Sequence, residues 1–524
     1  MMPRPVARVV ILGGGTSGWM CAAVLARTLA QADVSITLVE SDQIGTIGVG
    51  EATIPTIKSF NSLLGIDEVD FIKRTQGTFK LGIEFVDWGK LGDRYIHPFG
   101  TYGLDRPEVK FRQMWLKLRG LSQDVGDIGD YNLTLAAARL NRFGLVSAQG
   151  GLLSTLRHAY HIDASLYARY LRDYAIARGV RRVEGVVASV GQRADGFISA
   201  LVLKDGGAIT GDLFVDCSGF RGFLIEETLK AGYEDWTHWL PCDRAVAMPC
   251  ENAGPLLPYT RASADQAGWR WRIPLQHRIG NGYVYSSQYL DDATAAARLT
   301  ATLEGDPLDG PRFLKFKAGH RKRLWDKNVV AIGLAAGFIE PLESTSIHLV
   351  QTGVSRLIQL FPDMNFNPVL IEEFNRLSIR EYEQVRDFII LHYKLTERDD
   401  TPFWQHCKDM DIPTSLARKL SLFRDKGRMS GSLDELFSEN SWLAVMLGQG
   451  GLPDGYDPVV DSIPVADTRR ALLDLKAAVF QAAKSLPEHS AFIRSHCQAE
   501  LAKGHPRLNQ VGMSALGLNE TIHS

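Results

Sequence analysis

Hydrophobic and polar positions divide the chain into a mixed first part and a helical second part. Residues 8–12 form a continuous β-branched apolar run, which is typical of a buried strand. An Ala-rich stretch over 19–29 predicts a helix, and a second apolar run over 35–39 predicts a strand that ends in Glu40. These segments therefore predict one strand–helix–strand unit at the start of the chain.

The rest of the first part mixes predicted strands with irregular stretches. Between about 45 and 150 the pattern turns irregular, with Gly-rich segments. A hairpin turn is predicted at Asp205-Gly206. The other predicted elements of this part are a helix over 166–177 and strands over 183–190, 197–203, 212–216, 269–273 and 328–332.

Beyond residue 365 the apolar positions recur at helical spacing. They predict a helix around 371–389 within a charged segment, and similar helices around 414–424, 432–447 and 466–486. We therefore predict an α/β body over 1–365, with an insert at about 85–150, and a mainly helical C-terminal subdomain over 366–524.

Composition narrows the class of protein. The chain has 524 residues, 45% of them hydrophobic, with 58 Lys and Arg against 60 Asp and Glu. This composition is that of a soluble globular protein, and the small net charge gives no reason to expect nucleic acid or a membrane surface as partner. No apolar run approaches the roughly 20 residues of a membrane helix. The six cysteines lack metal-binding spacing, so we expect no metal site and a cytoplasmic location.

A glycine motif follows the first strand. Gly13, Gly15 and Gly18 fit G-x-G-x-x-G around Thr16 and Ser17. Glycines at this spacing allow a tight turn and let the backbone approach a pyrophosphate at a helix N-terminus. Glu40, at the end of the second strand, can accept hydrogen bonds from ribose hydroxyls. The motif predicts a Rossmann-like dinucleotide site.

The glycine motif alone does not decide between FAD and NAD. An Asp-Cys-Ser-Gly segment closes a later strand at 216–219, and no second G-x-G-x-x-G is present for NAD(P)H. Both features favour FAD, with reduced flavin delivered by another protein. The alternative, in which NADPH binds without such a motif, stays open.

Six motifs resemble those of the flavin-dependent tryptophan halogenases. They are G-G-G-T-S-G-W (13–19), G-V-G-E-A-T-I-P (48–55), T-F-K-L-G-I-E-F (78–85), L-P-C-D-R-A-V-A (240–247), G-W-R-W-R-I-P (268–274) and G-F-I-E-P-L-E-S-T (337–345). The resemblance implies FADH2, O2 and chloride or bromide as reactants. A flavin hydroperoxide would oxidise halide to hypohalous acid, which travels through a tunnel to an indole-type arene and replaces C–H by C–Cl or C–Br.

The resemblance also implies two catalytic residues. Lys80 matches the family's lysine, which hydrogen-bonds hypohalous acid or takes the halogen as a haloamine. Glu343 matches the acid that holds this lysine and removes the ring proton. From the residues alone, Lys80 is equally a solvated strand lysine and Glu343 a carboxylate stabilised by a helix dipole.

Other positions match the family's halide and flavin sites. Ser344, Thr345 and Ser346 match the segment that binds halide in the family, through the backbone N–H groups of Thr345 and Ser346. Many tryptophan halogenases have Gly in place of Ser346. Simple helix capping is the alternative. Trp269 and Trp271 point to the same face of a predicted strand. The resemblance implies that this face lies beside the flavin, and the alternative is that both are core residues. Val187, Leu334 and Ile347 match positions that contact the flavin. Val49 and Ala52 match the strap that joins the flavin and substrate regions.

The substrate site is implied by aromatic positions. His97, Pro98 and Phe99 match a segment that packs on one side of the indole, and Trp442 matches the aromatic residue on the other side. An ordinary turn and a helix core residue are the alternatives. Around 438–441 the tyrosines that bind the tryptophan head group in some relatives are absent. An indole without that head group, or a larger indolic metabolite, is therefore at least as well matched as free tryptophan.

The resemblance further implies a separate NAD(P)H flavin reductase as partner, and it leaves a homodimer open. Two alternative functions remain at this point. One is an aromatic hydroxylase that uses the same reduced flavin, and the other is a non-catalytic flavin-binding homologue. Lys80 and Glu343 favour the halogenase, because hydroxylation requires neither.

Overall fold

Short strands and helices alternate through most of the chain. The computed structural model describes residues 4–42, 50–145, 150–429, 431 and 435–500. The strands are β1 (Arg8–Leu12), β2 (Ser35–Glu40), β3 (Gly50–Ala52), β4 (Thr78–Lys80), β5 (Gly82–Val86), β6 (Arg94–Pro98), β7 (Ala159–Asp163), β8 (Arg181–Glu184), β9 (Val187–Gln192), β10 (Ile198–Leu203), β11 (Ala208–Thr210), β12 (Leu213–Asp216), β13 (Tyr233–Asp235), β14 (Arg244–Ala247), β15 (Thr260–Asp265), β16 (Gly268–Pro274), β17 (Ile279–Tyr285), β18 (Arg312–Lys315), β19 (Gly319–Arg321), β20 (Trp325–Asp326), β21 (Val329–Ala331) and β22 (Gly337–Phe338).

Helices connect these strands and make up the last part of the described chain. The α-helices are α1 (Thr16–Thr28), α2 (Thr56–Leu64), α3 (Glu68–Arg74), α4 (Phe111–Gly120), α5 (Leu133–Arg139), α6 (Ala164–Ile176), α7 (Asp292–Thr300), α8 (Ser346–Gln359), α9 (Pro368–Lys394), α10 (Pro402–Asp409), α11 (Thr414–Lys426), α12 (Glu439–Gly448), α13 (Val465–Ser485) and α14 (His489–His496). A 3₁₀ turn, Pro341–Glu343, precedes α8.

The glycine motif belongs to a largely parallel sheet. Its strand order is β20-β21-β12-β1-β2-β8, and all neighbours run parallel except β20 and β21. The central strand β1 is buried at four of its five residues, as its continuous apolar run predicts. Helix α1 follows β1 and packs against α6 and α8. The predicted α/β, Rossmann-like body is therefore confirmed.

Two further sheets hold strands from four of the other motifs, and the motif at 337–345 begins with β22 in a separate sheet. A sheet with strand order β18-β14-β17-β16-β15-β5-β6 contains the two-tryptophan strand β16, and a sheet with order β3-β7-β4 contains β4, which ends at Lys80. Backbone pairing places Lys80 opposite Ala159. The three sheets thus bring motifs from distant parts of the sequence to one region.

The C-terminal helices pack on this body. The long helix α9 contacts β19, β20 and α8 on one side and α10, α11 and α12 on the other. One hydrophobic cluster runs from β1 through these helices to Cys497. The helical C-terminal part is confirmed, while the division of the chain at about residue 365 stays a prediction. None of the described helices is long and apolar enough to cross a membrane.

Three expectations from the pattern need correction. The predicted strand over 183–190 is two strands, β8 and β9, in different sheets, because the chain leaves β2 after Glu184 and pairs with β10 from Val187. The irregular stretch over 45–150 contains β3 to β6 and α2 to α5 within its described residues. The helix predicted over 432–447 begins only at Glu439, and 432–434 lie outside the described residues.

Candidate active site

The glycine turn between β1 and α1 is shaped for close backbone packing. Gly13 has φ +113°, and a Cβ there would lie 2.2 Å from the carbonyl oxygen of Cys217. A Cβ on Gly18 would lie 1.8 Å from the Gly13 oxygen, whereas a Cβ on Gly15 would meet no described atom within 4 Å. No described side chain caps α1. Open space and free N–H groups at a helix N-terminus fit the pyrophosphate of FAD.

The flanks of this turn are fixed by polar contacts. The Thr16 hydroxyl donates to the Ala164 carbonyl at 3.3 Å. At the end of β2, the Glu40 carboxylate accepts from the Trp19 indole N–H at 3.3 Å and from the Arg182 guanidinium at 2.5 Å. Glu40 therefore stands beside the glycine turn, as predicted, and it is held there by two neighbours.

Lys80 is completely buried at the end of β4. Its Nζ donates to the carbonyl oxygen of Thr53 at 3.0 Å and to the Ser344 hydroxyl oxygen at 2.8 Å, and it lies 5.5 Å from the centre of the Phe99 ring. Burial lowers the pKa of Lys80 to about 7, and the nearby negative charge of Glu343 opposes this shift. A solvated strand lysine is thus excluded.

Glu343 is buried beside Lys80 but contacts two histidines directly. The Nδ1 atom of His97 lies 3.0 and 2.9 Å from its two oxygens. The Nε2 atom of His392, on α9, lies 2.8 Å from Oε1 in a short but bent contact. Although burial acts to raise the pKa of Glu343, the two histidines lower it to about 2. The carboxylate is therefore ionised.

A second buried acid in the same segment holds one of the two tryptophans. Glu340 Oε2 accepts from the Trp269 indole N–H and from the Tyr393 hydroxyl, each at 2.7 Å. Burial raises the pKa of Glu340 to about 7. The Trp269 and Trp271 rings are 6.3 Å apart, and the Trp271 ring covers Gly282, where a Cβ would clash with it. Trp269 is thus fixed by hydrogen bonding as well as by packing.

The segment that enters α8 presents free polar groups. Ser344 adopts a left-handed conformation with φ +60°, and α8 begins at Ser346 without a side-chain cap among the described residues. The Thr345 hydroxyl is buried and has no partner there. Simple capping by Thr345 is therefore not observed. A buried hydroxyl at an uncapped helix N-terminus fits a small anion such as halide.

Aromatic side chains gather near Glu343. His97 and Trp442 are buried, and both contact Phe388 of α9, with ring centres 5.7 and 5.0 Å away. Phe388 in turn stacks on Phe437 at 3.8 Å. Pro98 is buried at the end of β6, next to the half-buried Phe99. The structure therefore brings the predicted substrate residues to one place and adds two rings from the C-terminal part.

A cavity of about 320 Å³ adjoins the Trp442 ring. Lys419 lies 4.3 Å from the centre of this ring and pairs with Glu435 at 2.5 Å, while Arg386 pairs with Asp387 at 2.8 Å. The other lining residues are Arg380, Glu383, Gln384 and Ser415. The cavity beside Trp442 is thus lined mainly by polar and charged side chains.

Four of the remaining predicted flavin positions lie within the described residues. Ala52 packs with Ile273 and Leu275 against Trp271, so the strap meets the two-tryptophan strand. Leu334 belongs to a 3₁₀ turn whose first residue, Gly333, approaches Ser17 of the glycine motif so closely that a Cβ would lie 2.3 Å from its hydroxyl.

The other positions are less closely connected. Ile347 is buried in the first turn of α8. Val187 is half-buried at the start of β9, three residues beyond Glu184, and nothing in its contacts joins it to the Lys80 region. Val49 lies outside the described residues.

Several residues of the site were not identified from the sequence. Thr53, one acceptor for Lys80, lies inside a motif of the family resemblance, which is a usable signal, whereas Ser344, the other acceptor, is predicted at the halide site and not as a partner of Lys80. His392, Tyr393 and Phe388 lie on α9, where they look like other members of a buried helical face. No local signal distinguishes them, because their partners are more than 40 residues away in sequence.

Comparison with known proteins gives a consistent answer. The family described as tryptophan halogenase matches residues 8–465. A flavin-dependent halogenase from Xanthomonas campestris, Xcc4156, is 49% identical with a TM-score of 0.91, covering 95% of this chain and 99% of that chain. BrvH, a flavin-dependent halogenase from Brevundimonas sp. BAL3, is 47% identical with a TM-score of 0.90, covering 94% and 99%. Tryptophan 6-halogenase ThaL from Streptomyces albogriseolus is 32% identical over 94% of this chain and 99% of its own length.

Proposed function

The chain belongs to the tryptophan halogenase family of flavin-dependent enzymes, and from that premise we propose that it halogenates an indole-type arene through Lys80 and Glu343. Reduced FAD, O2 and chloride or bromide are the reactants, and aromatic C–H becomes C–Cl or C–Br. The observation that carries the proposal is a fully buried Lys80 amine beside the buried Glu343 carboxylate.

The glycine turn would hold the cofactor. Free N–H groups at the start of α1 and the open space at Gly15 fit a pyrophosphate, and Glu40 stands where ribose hydroxyls would need an acceptor. When bound, reduced FAD supplies with O2 the oxidising equivalents that convert halide to hypohalous acid. The Trp269 side chain, held by its hydrogen bond to Glu340, would help to exclude water from the flavin site.

Lys80 would receive the halogen as a neutral amine. Its two hydrogen bonds use two N–H groups, and its lowered pKa leaves a lone pair available near neutral pH. The nitrogen attacks the halogen of hypohalous acid, the halogen–oxygen bond breaks, and water leaves with a proton from the nitrogen. An arene carbon then takes the halogen as the nitrogen–halogen bond breaks and its electrons return to Lys80. The proton that the ring gives to Glu343 then passes to this nitrogen and restores the neutral amine.

Glu343 would complete the substitution. The halogenated ring carbon still carries its hydrogen, and loss of that proton restores aromaticity. An ionised carboxylate beside the amine and beside the aromatic residues is suited to accept this proton. Thr345 and Ser346, at the uncapped start of α8, would bind halide through backbone N–H groups.

The substrate would lie among His97, Pro98, Phe99 and Trp442. Stacking on such rings contributes about 0.5–1.5 kcal/mol per pair beyond buried area. The absence of head-group tyrosines around 438–441 supports an indole without the tryptophan head group, or a larger indolic metabolite, as substrate. A separate NAD(P)H flavin reductase would supply FADH2.

The test uses purified protein with FAD, a flavin reductase, NADH, O2 and bromide or chloride. We expect mass spectrometry to detect halogenated indole. Lys80→Ala should abolish halogenation while reduced-flavin oxidation continues, and Glu343→Gln should lower it roughly 100-fold or more. Oxygenated products alone across a panel of arenes would instead identify a hydroxylase. Turnover that needs no halide, or no turnover at all, would also contradict the proposal.

A further inference from the structure

Glu343 sits at the end of a series of polar contacts that begins far from it in sequence. Gln449, at the end of α12, donates its amide N–H groups to the His392 carbonyl at 3.0 Å and to the Tyr95 hydroxyl oxygen at 3.2 Å. Tyr95 lies 3.2 Å from His392 Nδ1, and His392 Nε2 lies 2.8 Å from Glu343. Residues from β6, from α9 and from the end of α12 are therefore connected to one carboxylate through His392.

The donors and acceptors along this chain can be assigned. A carbonyl oxygen only accepts, so the Gln449 nitrogen, and not its oxygen, faces His392 and Tyr95. With its oxygen accepting from Gln449, the Tyr95 hydroxyl donates to His392 Nδ1. A neutral His392 then carries its proton on Nε2, the nitrogen that lies 2.8 Å from Glu343 Oε1.

The surroundings keep His392 neutral and in place. It is fully buried, which lowers its pKa, with Glu343 acting in the opposite direction. Its ring stacks on Phe85 at 4.6 Å, and Phe85 also stacks on Tyr95 at 4.9 Å. The histidine therefore has little freedom to rotate away from the carboxylate.

From this geometry we propose that the chain Gln449–Tyr95–His392 positions Glu343 and keeps it ionised, with His392 protonated on Nε2. The titratable groups that face Glu343 are Lys80 from β4, Tyr95 and His97 from β6, and His392 from α9. His97 also donates an N–H to Glu343, so removing His392 should weaken the positioning of Glu343 without abolishing it. The proposal rests on the proposed role of Glu343.

A spectroscopic test does not depend on turnover. The full-length protein is labelled with ¹⁵N-histidine, and the signals that disappear in His392→Phe identify this ring. We expect the nitrogen shifts of a neutral ring protonated on Nε2, and a change of tautomer population in Tyr95→Phe. A ring protonated on Nδ1, or a charged ring at pH 7.5, would overturn the proposal.

A kinetic test separates positioning from a general structural defect. Tyr95→Phe keeps the ring that stacks on Phe85 but removes the hydroxyl, so protonation of Glu343 should become easier. We expect the ratio of mutant to wild-type halogenation rates to fall as the pH is lowered from 8 to 5, because a protonated Glu343 cannot accept the ring proton. Both proteins retain Lys80, so the pKa of this lysine differs between them only as far as the charge of Glu343 does. A defect in folding alone would lower the rate by the same factor at every pH.

Further variants complete the design. His392→Phe should lower the halogenation rate roughly 10- to 100-fold. His392→Gln should recover part of this rate, because the glutamine amide can donate a hydrogen bond to Glu343. Tyr167→Phe is the matched control, since it removes a buried hydroxyl that hydrogen-bonds to Asn61 at 3.2 Å, away from Glu343, and should keep the wild-type profile. Wild-type rates and profiles in both Tyr95→Phe and His392→Phe, with Glu343→Gln inactive, would overturn this inference while leaving the proposed function intact.

Discussion

Lys80 shows how burial alone can prepare a side chain for chemistry. A lysine in water is protonated at neutral pH, whereas burial lowers the pKa of Lys80 to about 7. Its direct partners are a carbonyl and a hydroxyl, not a carboxylate. The nearby Glu343 charge is instead engaged by two histidines. This arrangement favours a neutral amine over an ammonium ion.

The protonation state of Lys80 leads to a pH prediction. If the neutral amine takes the halogen, the halogenation rate should rise with pH around a midpoint of about 7, because deprotonation frees the lone pair. Single-turnover rates with pre-reduced flavin, measured from pH 5.5 to 9, would check this. Lys80→Arg serves as control, since it keeps a positive charge but should be inactive. A rate that falls above pH 7 would instead favour an ammonium that hydrogen-bonds hypohalous acid.

At the scale of elements, the first strand–helix–strand unit was predictable because its determinants are local. The continuous apolar run, the glycines and the following Ala-rich stretch all lie within residues 8–40. The split of 183–190 into β8 and β9 was not predictable, since the apolar alternation continues across Gly185 while the sheet partner changes. Which sheet a strand joins depends on distant residues.

Two glycines of the turn should respond differently to alanine. A Cβ on Gly15 meets open space, so Gly15→Ala should keep the wild-type melting temperature while weakening FAD binding about tenfold, because the methyl group occupies space meant for phosphate. A Cβ on Gly18 would instead collide with backbone, so Gly18→Ala should lower the melting temperature. Thermal unfolding without flavin and a flavin-binding titration measure the two effects. Unchanged FAD affinity in Gly15→Ala would contradict the assignment of this turn.

At the scale of the whole molecule, the candidate site is assembled from parts that the sequence keeps apart. Lys80 ends a short strand, Glu343 lies in a turn before α8, and His392 lies on α9. Lys80 and Glu343 could be proposed only from the family resemblance, because neither residue stands out by local pattern. His392 could not be proposed at all, since its role depends on the docking of α9 against the body.

The same assembly determines which substrates should be accepted. Beside Trp442, Lys419 pairs with Glu435 and Arg386 pairs with Asp387, so these charges already neutralise one another. A free amino acid head group would have to lose water there and compete with these ion pairs, and burying such charges is costly.

We therefore expect kcat/KM for 3-methylindole to exceed that for tryptophan by at least about tenfold, equivalent to about 1.4 kcal/mol. Both substrates carry the same ring, so stacking between His97 and Trp442 is common to them and the comparison isolates the head group. Tryptamine and indole-3-propionate, each with one of the two charges, show which charge is rejected. A preference for tryptophan itself would mean that the ion pairs around Trp442 open to receive it, and Lys419→Met should then reduce turnover of tryptophan more than that of 3-methylindole.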